Sequence, residues 1–150
     1  MPATKLSASL EDYLEAIFWL VRDHKVARSK DIAARLKVSK ASVTGALRQL
    51  TAGGLVNYDP YSYVTLTQAG ERVARGVVKR HRVLAEFLRR VLGINSIVAD
   101  ENACRIEHTV DDVVVARMLA FLAFLDSEKP DIKGWLATIP NGRGKEGVKQ

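Results

Sequence analysis

The chain has 150 residues, 47% of them hydrophobic, enough for one ordinary core or two small ones. Its 23 lysines and arginines against 17 aspartates and glutamates give a net charge of +6, a balance that suits a polyanionic partner. A single cysteine excludes an internal disulfide, no N-terminal signal pattern is present, and no apolar run reaches the ~18 residues of a membrane span. A cytoplasmic protein with no membrane partner is expected.

Ser9 is the expected N-cap of a first helix running to about His24, with Leu10, Tyr13, Leu14, Ile17, Phe18, Leu20 and Val21 as its apolar stripe. Asp12 and Glu15, three apart beside that stripe, suit the positive end of the helix dipole and also offer two carboxylates from one helix. A short helical segment from Asp31 to Lys37 follows, broken at Val38-Ser39, and Lys40 to Ala52 resumes helical periodicity with Val43, Leu47 and Leu50 inward. This is a helix-turn-helix in which Ser39 caps the second helix. Its outward face offers Lys40, Ser42, Thr44 and Arg48, cations for phosphates and short hydroxyls for phosphates or base edges.

Gly53-Gly54 stops that helix, and Leu55 to Tyr58, Asp59 to Ser62 and Tyr63 to Leu66 read as strand, turn and strand. Helix, turn, helix and hairpin make a winged helix. Between Arg22 and Arg48, eight basic residues, Arg28 among them, face two acidic ones, so the charge coincides with the motif and double-stranded DNA is the expected partner.

From Thr67, Gln68-Ala69-Gly70-Glu71 opens a long helix to about Val91, with Val73, Val77, Leu84, Leu88 and Leu92 as its stripe, His81 on a neighbouring face and Gly93 as its stop. A shorter helix then carries Cys104-Arg105-Ile106-Glu107-His108 before a break near Thr109-Val110. Cysteine, glutamate and histidine at spacings of three and four project to one helix face, where a thiolate, a carboxylate and an imidazole can converge on one cation. Taken singly, a cysteine is usually a small core residue and a histidine a packed one. With Asp12, Glu15 and His81, the segment supplies six candidate metal ligands from three places: Asp12, Glu15, His81, Cys104, Glu107 and His108.

Asp111 reads as the cap of a last strong helix, Asp112 to Leu125. Its apolar residues Val113, Val114, Met118, Leu119, Phe121, Leu122 and Leu125 exceed what one short chain buries alone and imply a homodimer. The expected organisation is mainly α: a winged helix over 1–70, a helical metal-binding and dimerisation domain over 71–126, and a flexible basic tail over 127–150.

These residues resemble the diphtheria toxin repressor family of metal-dependent transcription factors, which includes iron-dependent repressors and manganese transport regulators. The likeness covers about residues 8 to 125. It rests on Glu11-Asp12-Tyr13-Leu14-Glu15, on Leu66-Thr67-Gln68-Ala69-Gly70 closing the wing, on Lys79-Arg80-His81, and on Cys104 to His108 with Asp111 beyond.

The resemblance implies a homodimeric repressor, activated by a divalent metal, that binds operator DNA and controls metal homeostasis. Asp12 and Glu15 are similar to the carboxylates of the manganese regulators, whereas Cys104 is similar to the cysteine of the iron-type repressors; His81, Glu107 and His108 match both. Ala85 stands where an acid often follows the histidine. A thiolate in this shell shifts preference toward softer cations, so Fe(II) is favoured over Mn(II).

Gly45 stands in the recognition helix where the family often has a longer polar side chain, and the wing tip Tyr61-Ser62-Tyr63 carries no cation. The chain ends without the extra domain of the longer iron-type repressors, so activity is expected to come from the two domains alone. Two other classes are a winged-helix factor sensing an organic ligand over a structural Cys/His cluster and, more remotely, a metal hydrolase, since a carboxylate beside a metal-bound histidine can activate water. Six protein ligands guarantee no open position on the metal, and no catalytic loop is evident, so no catalytic residue and no enzyme activity are expected.

Overall fold

In the computed structural model, residues 5–139 are described. The order is α1 (Ala8–His24), α2 (Ser29–Leu36), α3 (Lys40–Ala52), β1 (Val56–Asn57), β2 (Thr65–Leu66), α4 (Gln68–Arg90), α5 (Ser96–Ile106), α6 (Asp112–Glu128) and α7 (Ile132–Thr138). It is a mainly α protein, a winged helix-turn-helix followed by an all-helical half.

The first helix starts earlier than expected. Ser7, not Ser9, adopts the extended N-cap conformation and accepts from Leu10 N at 3.3 Å, which places Ser9 inside the first turn. Ser39 caps α3 as expected, accepting from Ser42 N at 3.1 Å, and Thr67 caps α4 by accepting from Gly70 N. Gly54 and Gly93 take positive φ, 69° and 66°, after α3 and α4, the left-handed conformation that a Cβ disfavours.

The wing is shorter than the alternation suggested. β1 and β2 pair antiparallel over two residues each, Val56 with Leu66 and Asn57 with Thr65, and a separate bridge joins Ala27 to Val64. Val56 of β1 and Val64, just before β2, are buried while the turn between them is mostly solvated.

One core joins Tyr13, Leu14 and Ile17 of α1 to Ile32 of α2, Val43, Leu47 and Leu50 of α3, Val56 and Val64 of the wing, and Ala74 of α4. Further along α4, Val83 and Val91 pack with Val115, Leu122 and Leu125 of α6, while Leu84 and Ala85 meet Ala103 of α5; Val110 and Met118 touch both groups. A single helix, α4, is thus a wall of both cores. On α6, Val113, Val114, Leu119, Phe121 and Phe124 are exposed.

α6 extends to Glu128 and α7 occupies 132–138, so part of the segment expected as a tail is helical; residues 140–150 of it lie outside the described residues. Asp131 caps α7 by accepting from Gly134 N at 2.9 Å, a local signal that the proline beside it obscured. No helix among the described residues is long and apolar enough to cross a membrane.

Two glycines differ in what surrounds them. A Cβ on Gly70 would collide with the carbonyl of Leu55, where α4 starts against the end of α3, whereas a Cβ on Gly45 meets nothing within 4 Å. Gly70→Ala should therefore destabilise the fold by about 1 to 3 kcal/mol or more. Gly45→Ala should stabilise it by about 1 kcal/mol through helix propensity. Chemical denaturation of the two variants checks the pair; equal effects would contradict the packing described.

Candidate metal centre

Three helices place the ligand-bearing residues. α1 supplies Asp12 and Glu15 one turn apart, α4 supplies His81, and the end of α5 supplies Glu107 and His108. α5 closes at Ile106; Glu107 is its C-cap with helical torsions, φ −55° and ψ −26°, and its N–H still bonds back to Ala103 O. The break expected near Thr109 thus comes earlier, and His108 leaves the helix axis to face α1.

The arrangement centres on Glu107, whose side chain has no solvent exposure. Its Oε2 meets His81 Nδ1 at 2.6 Å. Its Oε1 lies 3.4 Å from His108 Nε2, which is itself 2.8 Å from Asp12 Oδ1. Those two approaches are ion-pair distances without hydrogen-bond geometry, and Glu107 Oε1 and His108 Nε2 are buried atoms with no hydrogen-bond partner. Buried polar atoms without partners are costly and rare, and two such atoms facing one point fit a cation.

The ligand atoms of Asp12, Glu107 and His108 all lie within 4.8 Å of one another, as do those of Glu15, His81 and Glu107. Two triads therefore share one carboxylate. Five of the six expected ligand residues come together in this way; Cys104 belongs to neither triad. The residue is exposed, and its sulfur does not come within ligand distance of either group.

Protonation in the centre shows an excess of negative charge. Burial raises the pKa of Asp12 above its ordinary value; the attraction of His108 opposes this, while Glu107 and Glu11 add to it. Burial and then the Glu107 charge raise Glu15. His81 is raised by its hydrogen bond to Glu107. For His108 burial works in the other direction, but the bond to Glu11 and the charges of Asp12 and Glu107 outweigh it and leave the pKa raised. Burial also raises the Cys104 thiol, with Glu107, Asp12 and Glu15 adding to it, which keeps the thiol protonated. Asp12, Glu15 and both imidazoles shifted upward together is what crowding carboxylates at one partly buried point produces.

Sequence patterns passed over two members of the centre. Glu11 and Arg80 are both in quoted motifs, yet neither was expected to act. Glu11 is buried at 8% exposure and bonds both His108 Nδ1, at 2.7 Å, and Arg80 Nη2, at 3.1 Å. The signal was available: Glu11 lies three before Leu14, four before Glu15 and seven before Phe18, so it is a carboxylate at the border between the apolar face of α1 and the face that carries Glu15.

The candidate nucleic-acid surface lies at the other end of the winged helix. Lys40, Ser42 and Arg48 are exposed along α3, and Thr44 is half-buried. Ser39, besides capping, shares a hydrogen bond with the Ser42 hydroxyl at 2.9 Å, and Thr44 donates its hydroxyl to Lys40 O at 3.1 Å. The wing is not without a cation. The Arg28 guanidinium stacks 5.2 Å from the centre of the Tyr63 ring and its Nη2 approaches the phenol oxygen at 3.4 Å, so the residue before α2 supplies the charge that the wing tip lacks. Tyr61, at the tip, is fully exposed with φ 76°.

Comparison with known proteins gives the same picture. The model for the iron-dependent repressor N-terminal DNA-binding domain matches residues 5–64, and that for the iron-dependent repressor metal-binding and dimerisation domain matches 67–133. The HTH-type transcriptional regulator MntR of Lysinibacillus sphaericus is 35% identical over 124 residues, covering 83% of this chain and 88% of that protein. An uncharacterised HTH-type regulator of Methanocaldococcus jannaschii is 32% identical over 118 residues, covering 78% and 94%. Among solved structures, the manganese regulator SloR superposes with a TM-score of 0.69 at 32% identity, covering 77% of this chain and 54% of that one. A manganese-dependent transcriptional repressor in complex with manganese gives 0.67 at 34%, covering 77% and 53%. The chain spans about half the length of these two structures.

The raised pKa values have a signed consequence. The folded cluster holds protons more tightly than the unfolded chain, so its contribution to metal-free stability is present at low pH and is lost as pH rises through the raised histidine values. A cation entering the centre must displace those protons, so its affinity should fall as pH falls from about 8 to about 6. Two ordinary imidazoles would release about half a proton together at pH 7. Mn(II) added to weakly buffered protein should release more than that; release at or below the ordinary figure would contradict the crowding described.

Proposed function

The chain belongs to the family of iron-dependent repressors, and on that premise we propose that it is a metal-dependent transcriptional repressor in which cation binding orders a homodimer for operator DNA. The observation that carries the reading is the fully buried Glu107 carboxylate shared by two ligand triads, each completed by a carboxylate from α1 of the winged helix.

We assign Asp12, Glu107 and His108 to one metal position and Glu15, His81 and Glu107 to a second. A divalent cation bound there supplies positive charge and coordination bonds between oxygen and nitrogen donors of the two halves. The remaining work is done by the chain. α1 presents Asp12 and Glu15 on one face while Leu14 and Ile17 on the other pack against Ile32, Val43 and Leu47, so a constraint on the ligands is a constraint on the helix-turn-helix. The exposed apolar row of α6 pairs the subunits, and the symmetry of the pair sets two α3 helices about 34 Å apart, one turn of DNA. The division falls near residue 70, with the helical half reaching past 126 into α7.

The preference for Fe(II) over Mn(II) is not supported. It rested on a Cys104 thiolate; the thiol lies outside both triads, and carboxylates with imidazoles suit Mn(II) as well as Fe(II). Relatives and neighbours whose names specify a metal include manganese regulators, and we propose Mn(II) as the cation to test first. On DNA, Lys40, Arg48 and Arg28 contact phosphates, Ser39 holds the start of α3 in place, and Ser42 and Thr44 approach base edges, with the open side of Gly45 admitting the duplex close to the helix. No catalytic role is assigned to any residue.

The test uses a palindromic site selected from random DNA under reducing conditions. Mn(II) should tighten binding by at least about tenfold over chelated protein, the usual range of allosteric coupling. His108→Ala should abolish the response while leaving a folded dimer, and Cys104→Ser should retain it. Equal affinity with chelator and with every divalent metal tried would sink the regulatory reading.

A further inference from the structure

Two side chains at the centre, the buried Glu11 and the partly buried Arg80, belong to neither triad, yet each bonds one of its ligand residues. Glu11 and Glu107 are the two buried charged residues among the described residues. Glu11 Oε2 accepts from His108 Nδ1 at 2.7 Å and from Arg80 Nη2 at 3.1 Å. Arg80 uses its Nε–H for the main-chain carbonyl of Glu107 at 2.7 Å. One carboxylate and one guanidinium thus hold the ring of the first ligand and the backbone of the second.

The chemistry of imidazole gives this a direction. A neutral ring carries its proton on one nitrogen and its lone pair on the other, and the partner of the first decides which one ligates. With Nδ1–H committed to Glu11, the lone pair is left on Nε2, the buried atom without a hydrogen-bond partner that faces Asp12 and Glu107. Adjacent residues of α1 therefore straddle the ring, Glu11 behind it and Asp12 in front. A pair serving packing alone would need Glu11 and Arg80 to satisfy each other; here each also reaches a ligand residue.

We propose that Glu11 and Arg80 are positioning residues of the metal centre: Glu11 fixes His108 as an Nε2 ligand, and Arg80 holds Glu11 while clamping the Glu107 backbone. The inference rests on the metal-dependent reading above. It makes α1 of the winged helix responsible for both sides of the His108 ring, so a displacement of α1 disturbs the ligand itself as well as Asp12.

The test is Mn(II) binding to full-length protein, followed by the paramagnetic resonance of free Mn(II), with the melting temperature of chelated protein measured in parallel. Glu11→Gln should weaken the His108-containing position by about 10- to 100-fold, the usual cost of losing an outer partner, and change the Glu15, His81 position by less than about threefold. Arg80→Lys keeps the charge but cannot reach both acceptors, and should weaken the same position by about tenfold; it decides the matter if Glu11→Gln does not fold. With cadmium bound to histidine-labelled protein, NMR should place cadmium–nitrogen coupling on His108 Nε2 and a proton on Nδ1. Unchanged Mn(II) affinity beside a lowered metal-free melting temperature would overturn the proposal, as would coupling on Nδ1. Failure of the unsubstituted protein to bind any divalent metal would overturn the metal reading and this inference with it.

Discussion

A carboxylate with no solvent exposure, that of Glu107, is the constraint around which the rest of this protein is arranged. Removing such a group from water costs several kcal/mol unless positive charge and hydrogen bonds are brought to it. His81 brings one bond from α4 and Arg80 bonds the carbonyl of the same residue, but Oε1 has no partner, and the nearest groups from α1 are further carboxylates. Three helices converge on a point short of positive charge. In the proposed reading a divalent cation satisfies that shortage.

In the proposed mechanism, the path from this centre to DNA follows from how α1 and α4 are shared. α1 is amphipathic in an unusual sense: one face is the floor of the winged-helix core, and the other carries Asp12 and Glu15 beside the buried Glu11. α4 begins at the wing, where Gly70 packs against Leu55, and ends in the second core with Val83 and Val91. α4 is one continuous helix from the wing to the second core, so in the proposed mechanism ligand geometry at Asp12 and Glu107 constrains the direction of α3. Coupling of ~1 to 3 kcal/mol through such a path is enough for a switch.

Much of this was legible in the sequence because it depends on periodicity and local chemistry. The helices, the Ser39 cap, the glycine stop at Gly93, the order of helix-turn-helix and wing, and the pairing of Asp12 with Glu15 follow from spacings of three, four and seven. What depends on the third dimension was not legible. Spacing places Cys104 and Glu107 on one face of α5 but does not say which is buried, and it is Glu107 that is buried while Cys104 is exposed and joins neither triad. Arg28 reaches Tyr63 across 35 residues, and Glu11 reaches Arg80 across 69 and His108 across 97, so no local pattern announces them. The two-residue strands and the helix α7 were misjudged because alternation and a proline are weak signals at that length.

The most direct measurement is anomalous diffraction at the manganese edge from crystals grown with Mn(II). Two peaks flanking the Glu107 carboxylate, one touching Asp12 and His108 and the other Glu15 and His81, are the expected result. A peak bound through Cys104 with no carboxylate from α1 in its shell would contradict the claim that the metal joins the DNA-reading half to the rest of the chain.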